Sequence, residues 1–134
     1  MIGIEKNKIG THVGLRGDFE SVLARVIEAL KAEGFGVLTE IDVKDTLKKK
    51  LDIDFRPYKI LGACNPPLAH RALEADPEVG MLLPCNVTVS QTGENEVQIS
   101  LVDPLAMLGI IDNPALRAVA EEAGAKLQRV AKAL

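Results

Sequence analysis

The stretch that decides the fold is YKILGACNPPLAHRALEADPEVGMLLPCN, residues 58–86. It predicts a strand, a tight turn, a short helix and a second strand. It also holds both cysteines, one of the two histidines and four of the seven prolines of the chain. Asn65 followed by Pro66 is typical of a helix start, with asparagine as the N-cap and proline at the first helical position. Reactive side chains and backbone constraints are concentrated here, so we take this segment as the candidate site.

In both strands of this stretch, the alternation of residues predicts which side chains share one face of the strand. In the first strand, Cys64 shares a face with Tyr58, Ile60 and Gly62. In the second, residues 81–90, the shared face carries Leu83, Cys85, Val87 and Val89. Pro84 has no N–H to donate to a neighbouring strand, so we expect an edge position or a β-bulge there.

The flanking sequence supplies the other elements. Residues 8–15 alternate as a strand whose second face carries His12 between two glycines. A long helix is predicted from an Asp18 N-cap to Gly34, and a second from Asn113-Pro114 to the end. Between them the pattern predicts a strand at 35–41, a short helix after Asp42 with the apolar stripe Val43, Leu47 and Leu51, and a hairpin joining strand 81–90 to strand 97–101.

This order predicts an α+β domain over residues 1–134, with a single, mostly antiparallel five-stranded sheet and helices packed on one face. The other face would carry His12 and would need a cover. An uncovered face of this kind favours either a homodimer or a ligand groove.

Composition narrows the classes of partner. Aromatic residues make up only 3% of the chain, without tryptophan, and the net charge is −3. Base-stacking surfaces need outward aromatic side chains and nucleic-acid binding needs basic patches, so we expect no nucleic-acid partner. The sequence shows no signal peptide and no apolar run long enough to span a membrane. We expect a cytoplasmic protein with reduced cysteines and no membrane partner.

Cys64 allows two interpretations. It ends a strand immediately before a helix N-terminus, where the helix dipole can lower the thiol pKa and make the thiolate a nucleophile for sulfur transfer or redox exchange. Free cysteine is also one of the most buried residue types, which favours the other interpretation, that Cys64 is a small core side chain. Cys85 alternates with valines and favours the core. Whether the two thiols approach each other stays open at this stage.

No other chemistry stands out. The spacing from Cys64 to His70 matches no standard metal-ligand pattern, and the sequence has no phosphate-binding loop, nucleophile elbow or zinc-protease motif. We therefore predict no metal and no cofactor, and classical catalysis is not indicated. His12 remains a candidate because of its glycine neighbours.

Four segments carry a resemblance to a known family: EGFGVLTEIDV at 33–43, YKILGACNPPLAHRAL at 58–73, GMLLPCNVTV at 80–89, and the pair Asp103-Pro104. In these segments the chain resembles the DUF302 family, whose function is unknown. The resemblance implies a TBP-like α+β fold and homodimers, and it supplies no reaction. Its motif positions in this chain are Cys64, Asn65, Pro66, Leu83, Pro84 and Cys85.

The leading hypothesis is a dimeric binding or carrier protein for a small-molecule ligand, with Cys64, Asn65, Cys85 and His12 as candidate ligand-binding residues. The alternative is a thiol-dependent sulfur-transfer or redox protein in which Cys64 is the nucleophile.

Overall fold

The computed structural model describes all residues 1–134 and contains six strands and five α-helices. The strands are β1 (Gly3–Lys6), β2 (Gly10–Arg16), β3 (Gly36–Asp42), β4 (Tyr58–Cys64), β5 (Cys85–Gly93) and β6 (Glu96–Val102). The helices are α1 (Phe19–Ala32), α2 (Val43–Leu51), α3 (Pro66–Ala75), α4 (Pro104–Leu108) and α5 (Pro114–Ala133). A 3-10 helix, Pro77–Leu82, connects α3 to β5.

The strands form one sheet in the order β1-β2-β6-β5-β4-β3, and every neighbouring pair is antiparallel. The α+β class and the antiparallel sheet are therefore confirmed. The predicted count of five strands is wrong, because β1 forms a sixth strand at one edge. All four residues of β1 are exposed, and it pairs only with β2. A short exposed edge strand has no buried face to produce a sequence pattern.

The expectation for Pro84 is also wrong. The 3-10 helix begins after Asp76, whose side chain accepts a hydrogen bond from the Glu78 N–H at 2.9 Å. It occupies the positions where the predicted strand would have started. Strand β5 begins only at Cys85, and it pairs with β4 on one side and β6 on the other. Since proline has no N–H for either ladder, the interior strand starts after it.

The main hydrophobic core lies on one face of the sheet. Alternate residues of β2, β4, β5 and β6 point toward this core, where they meet α1 and α5. The sheet residues of this core are Val13, Leu15, Leu61, Ala63, Val87, Val89, Val97, Ile99 and Leu101. Where α5 crosses β2, the Gln128 amide donates a hydrogen bond of 2.7 Å to the Thr11 hydroxyl.

A second, smaller hydrophobic cluster lies apart from the main core. It joins α3, the 3-10 helix, α4 and the first half of α5, and its buried members are Leu68, Ala72, Val79, Leu108, Leu116, Val119, Ala120 and Ala123. The second half of α5 belongs to the main core through Leu127, Val130 and Ala131. Helix α5 therefore links the two clusters.

The predicted helix starts are confirmed by their caps. The side chains of Asp18, Asp42, Asn65 and Asn113 each accept a hydrogen bond from a backbone N–H of the following turn. The predicted apolar stripe of α2 is not buried: no residue of this helix is buried, and Leu51 is 62% exposed. Its nine residues have capping and polar contacts but no core to pack against.

Candidate functional site

The candidate site lies where β4 ends and β5 begins. In the antiparallel register Ala63 is opposite Cys85, while Cys64 is opposite Gly36 of the edge strand β3. Cys64 is half-buried and Cys85 is buried, and both are free thiols. The two cysteines thus lie on neighbouring strands but one position out of step, so they are not direct cross-strand partners.

An apolar cavity of about 330 Å³ opens at this end of the sheet, and both cysteines line it. Of its 17 lining residues 13 are hydrophobic, and none carries a charge. The walls come from both hydrophobic clusters: Phe35 and Ala63 from the main core, and Leu68, Ala72, Leu108, Val119 and Ala123 from the second. The cavity is therefore the space left where the two clusters meet.

Exposed side chains mark the mouth of the cavity. Leu38 is 68% exposed and Leu73 is 41% exposed, and both line the cavity. Thr39, next to Leu38, is exposed and also belongs to the lining. The cavity is accordingly reached from solvent between β3 and α3.

The environment of Cys85 makes its thiol a poor nucleophile. Burial, and to a smaller extent the nearby Cys64 thiol, together raise the pKa of the Cys85 thiol from 9.0 to about 11. The thiolate is the reactive form of cysteine, and an apolar surrounding disfavours it. Near neutral pH, Cys85 is therefore a protonated, apolar part of the wall.

Asn65 lines the cavity, but its amide serves the fold. The side-chain oxygen accepts a hydrogen bond from the Leu68 N–H, and the side-chain nitrogen donates to the Glu33 carbonyl, both at 3.4 Å. Asn65 thus caps α3 and ties it to the C-terminal end of α1. Gly34 lies against this contact with a φ of +85°, and a Cβ there would be 2.9 Å from the Asn65 nitrogen.

His12 does not join the other candidate residues. It lies on the face of the sheet opposite the main core, and the cavity lining does not include it. Its Nδ1 is 2.7 Å from the Ser100 hydroxyl, while its Nε2 is buried without a hydrogen-bond partner. A separate depression of about 220 Å³ surrounds it, lined by Ile2, Gly3, Glu5, Gly14 and Gln98.

Sequence reasoning found the thiols and Asn65 but missed most of the cavity wall. Four of the missed residues come from three segments outside residues 58–86: Phe35 precedes β3, Leu108 ends α4, and Val119 and Ala123 lie in α5. In the sequence each of them looks like an ordinary core residue. Only the helical spacing of Val119 and Ala123 carried any signal, and it indicated a buried face rather than a cavity.

The fold is that of an α+β protein with one antiparallel sheet, and an apolar cavity lies at one end of this sheet. Residues 11–134 match the family described as "Domain of unknown function DUF302", and the chain belongs to this family. A search of curated proteins finds no match. None of the helices has the length and hydropathy required to cross a membrane.

A solved structure is similar over most of its length. It is described as the crystal structure of an uncharacterized conserved protein DUF302 from Bacillus stearothermophilus. The two chains are 32% identical and superpose with a TM-score of 0.82, covering 91% of this chain and 94% of the other. This likeness supports the fold and adds no reaction.

The contact between Gly34 and Asn65 can be tested by replacing the glycine. Gly34→Ala should lower the free energy of unfolding by about 1–3 kcal/mol, because a positive φ strains any residue with a Cβ. Gly36→Ala is the matched control, since a Cβ at Gly36 meets no atom within 4 Å. We expect it to change stability by no more than about 0.5 kcal/mol. Equal effects of the two variants in urea unfolding would contradict the assignment.

The two thiols should differ in alkylation. With iodoacetamide at pH 7.5, peptide mass spectrometry should find Cys64 modified well before Cys85, because Cys64 is the more exposed. In a Cys64→Ser variant the Cys85 rate should keep rising about tenfold per pH unit beyond pH 9, since burial, the larger cause of its raised pKa, is still present. In urea the same rate should level off above the ordinary pKa of 9.0. Equal native rates for both thiols at pH 7.5 would contradict this assignment.

Proposed function

We propose that the protein binds and carries a small molecule in the cavity between its two hydrophobic clusters. The observation that carries the proposal is the cavity itself: about 330 Å³, apolar, uncharged and open to solvent. This volume lies within the range of small-molecule sites, which are mostly apolar and largely preformed. Asn65 contributes as the residue that positions α3, and the two cysteines contribute as wall.

The side chains around the cavity support this proposal. Four alanines line it: Ala63, Ala69, Ala72 and Ala123. Protein interiors are normally close-packed, and a space lined by small side chains loses the contacts that larger ones would make. A bound apolar molecule would restore those contacts, which gives the binding its driving force.

A second function is favoured by one observation. Cys64 is a half-buried free thiol on the cavity wall, whereas Cys85 is held protonated by burial. If the protein transfers sulfur or exchanges electrons through thiols, Cys64 is the nucleophile and Cys85 is not. The cavity would then hold the thiol substrate beside Cys64.

The proposal includes a homodimer that covers the free face of the sheet. On that face Ile41 is opposite Ile60, and Ile41 is 49% exposed. His12 lies on the same face, with its Nε2 buried but without a partner. A second copy of the chain would cover this surface, and the depression at His12 would then be an interface rather than a ligand site.

The binding function can be tested with a neutral fluorescent probe, N-phenyl-1-naphthylamine. The full chain should bind it with increased fluorescence, and Ala69→Phe should weaken binding at least about tenfold, because the new ring fills the cavity. Ala118→Phe is the matched control on an exposed position of α5. Thermal unfolding of both variants shows whether they are folded. Undiminished binding by folded Ala69→Phe would place the probe elsewhere.

Native mass spectrometry of protein from its own host separates the two functions and tests the dimer. A noncovalent small-molecule mass that is lost in Ala69→Phe supports the carrier. A persulfide or another thiol adduct, absent from Cys64→Ser, supports the thiol function instead. A monomer at micromolar concentration would contradict the homodimer, whichever ligand is found.

A further inference from the structure

We propose that the cavity selects uncharged ligands: neutral, apolar molecules with at most one hydrogen-bonding end. This inference rests on the proposed binding function and names the chemical class of the ligand. It is based on the hydrogen-bonding and charged groups around the cavity and on whether each of them already has a partner in the protein.

The wall offers almost nothing to a polar ligand. Apart from the two weakly hydrogen-bonding thiols, its polar side chains are Thr39 and Asn65. Asn65 uses its amide oxygen on the Leu68 N–H and its amide nitrogen on the Glu33 carbonyl. Each of these amide atoms keeps one further hydrogen-bonding position, but the two bonds fix the amide in place. The hydroxyl of Thr39, at the exposed mouth, makes no side-chain hydrogen bond within the protein and is the group freest to meet a polar ligand end. A ligand therefore lies with its apolar body inside and its one polar group at Thr39.

The permanent cation of the helix that lines the cavity is already paired. Helix α3 forms much of the wall, and its one permanently charged basic side chain, Arg71, is 2.6 Å from Glu122. The His70 imidazole of the same helix lies 3.3 Å from Glu74. An anionic head group would have to compete with Glu122 for Arg71, and the whole chain carries a net charge of −3.

An ionised group inside this cavity would lose its hydration without gaining a partner. Such a transfer is far more unfavourable than that of a neutral hydroxyl, which can keep one hydrogen bond. Between two ligands with the same hydrocarbon chain, the neutral one should bind at least roughly a hundredfold more tightly. Because the two ligands have the same hydrocarbon chain, its length cannot cause this difference in affinity.

The experiment measures displacement of N-phenyl-1-naphthylamine from the full chain at pH 8 by 1-octanol and by octanoate. We expect 1-octanol to displace the probe and octanoate to need at least roughly a hundredfold higher concentration. At a pH near the pKa of the free acid, roughly 4–5, the difference between the displacing concentrations of octanoate and 1-octanol should become smaller, because the neutral form of octanoate becomes populated. Circular dichroism at both pH values confirms that the chain is folded.

A positive charge introduced at the mouth of the cavity tests whether binding of an anionic ligand can be gained. Leu73→Lys places a cation on the rim, and Leu73→Gln is the neutral control of similar size. At pH 8 the lysine variant should lower the octanoate concentration that displaces the probe, relative to that of 1-octanol. The glutamine variant should leave the ratio of the two displacing concentrations unchanged. Improvement in both variants would show that the rim change itself, rather than charge, controls selection.

The outcomes separate this inference from the binding function. If the probe binds and octanoate competes as well as 1-octanol at pH 8, the selection for neutral ligands is overturned while the carrier function stands. If neither the probe nor 1-octanol binds to the folded chain, both proposals fail together. A preference for 1-octanol that becomes smaller with Leu73→Lys and is unchanged with Leu73→Gln supports the inference.

Discussion

The side-chain amide of Asn65 is the contact on which the site depends. It caps α3 through the Leu68 N–H and joins that helix to the last turn of α1 through the Glu33 carbonyl. Gly34 allows this contact because its backbone has a positive φ and its missing Cβ leaves room for the amide. The position of α3 relative to the sheet, and hence the shape of the cavity, follows from this junction.

The cavity is a consequence of having two hydrophobic clusters instead of one. The main core fills the space between the sheet and helices α1 and α5, and the second cluster forms around α3 and α4. Helix α5 runs through both, so the clusters are held at a fixed separation. Alanines at the boundary leave the space unfilled, whereas larger side chains on either side complete the walls.

The same environment gives the two cysteines different chemistry. Cys85 starts an interior strand and is buried, which keeps its thiol protonated well above neutral pH. Cys64 ends the neighbouring strand and stays partly accessible. If the protein binds a small molecule, both cysteines serve as apolar wall of the cavity. If its function depends on a thiol, Cys64 alone reacts. In both cases the cavity, rather than the cysteine pair, defines the site.

What the sequence determined by itself is local. The caps at Asp18, Asn65 and Asn113 set where helices begin, because a short polar side chain satisfies the free N–H groups of the first turn. Alternation located β4 and the interior hairpin, since the side-chain period of a buried strand is two. Tertiary structure decided the rest. Strand β1 forms only because β2 offers a free edge, and Pro84 falls outside β5 because an interior strand needs donors on both sides. His12 is separated from Cys64 because β6 and β5 lie between their strands and Cys64 is four residues beyond the position in register with His12. The cavity exists only where side chains from distant segments meet.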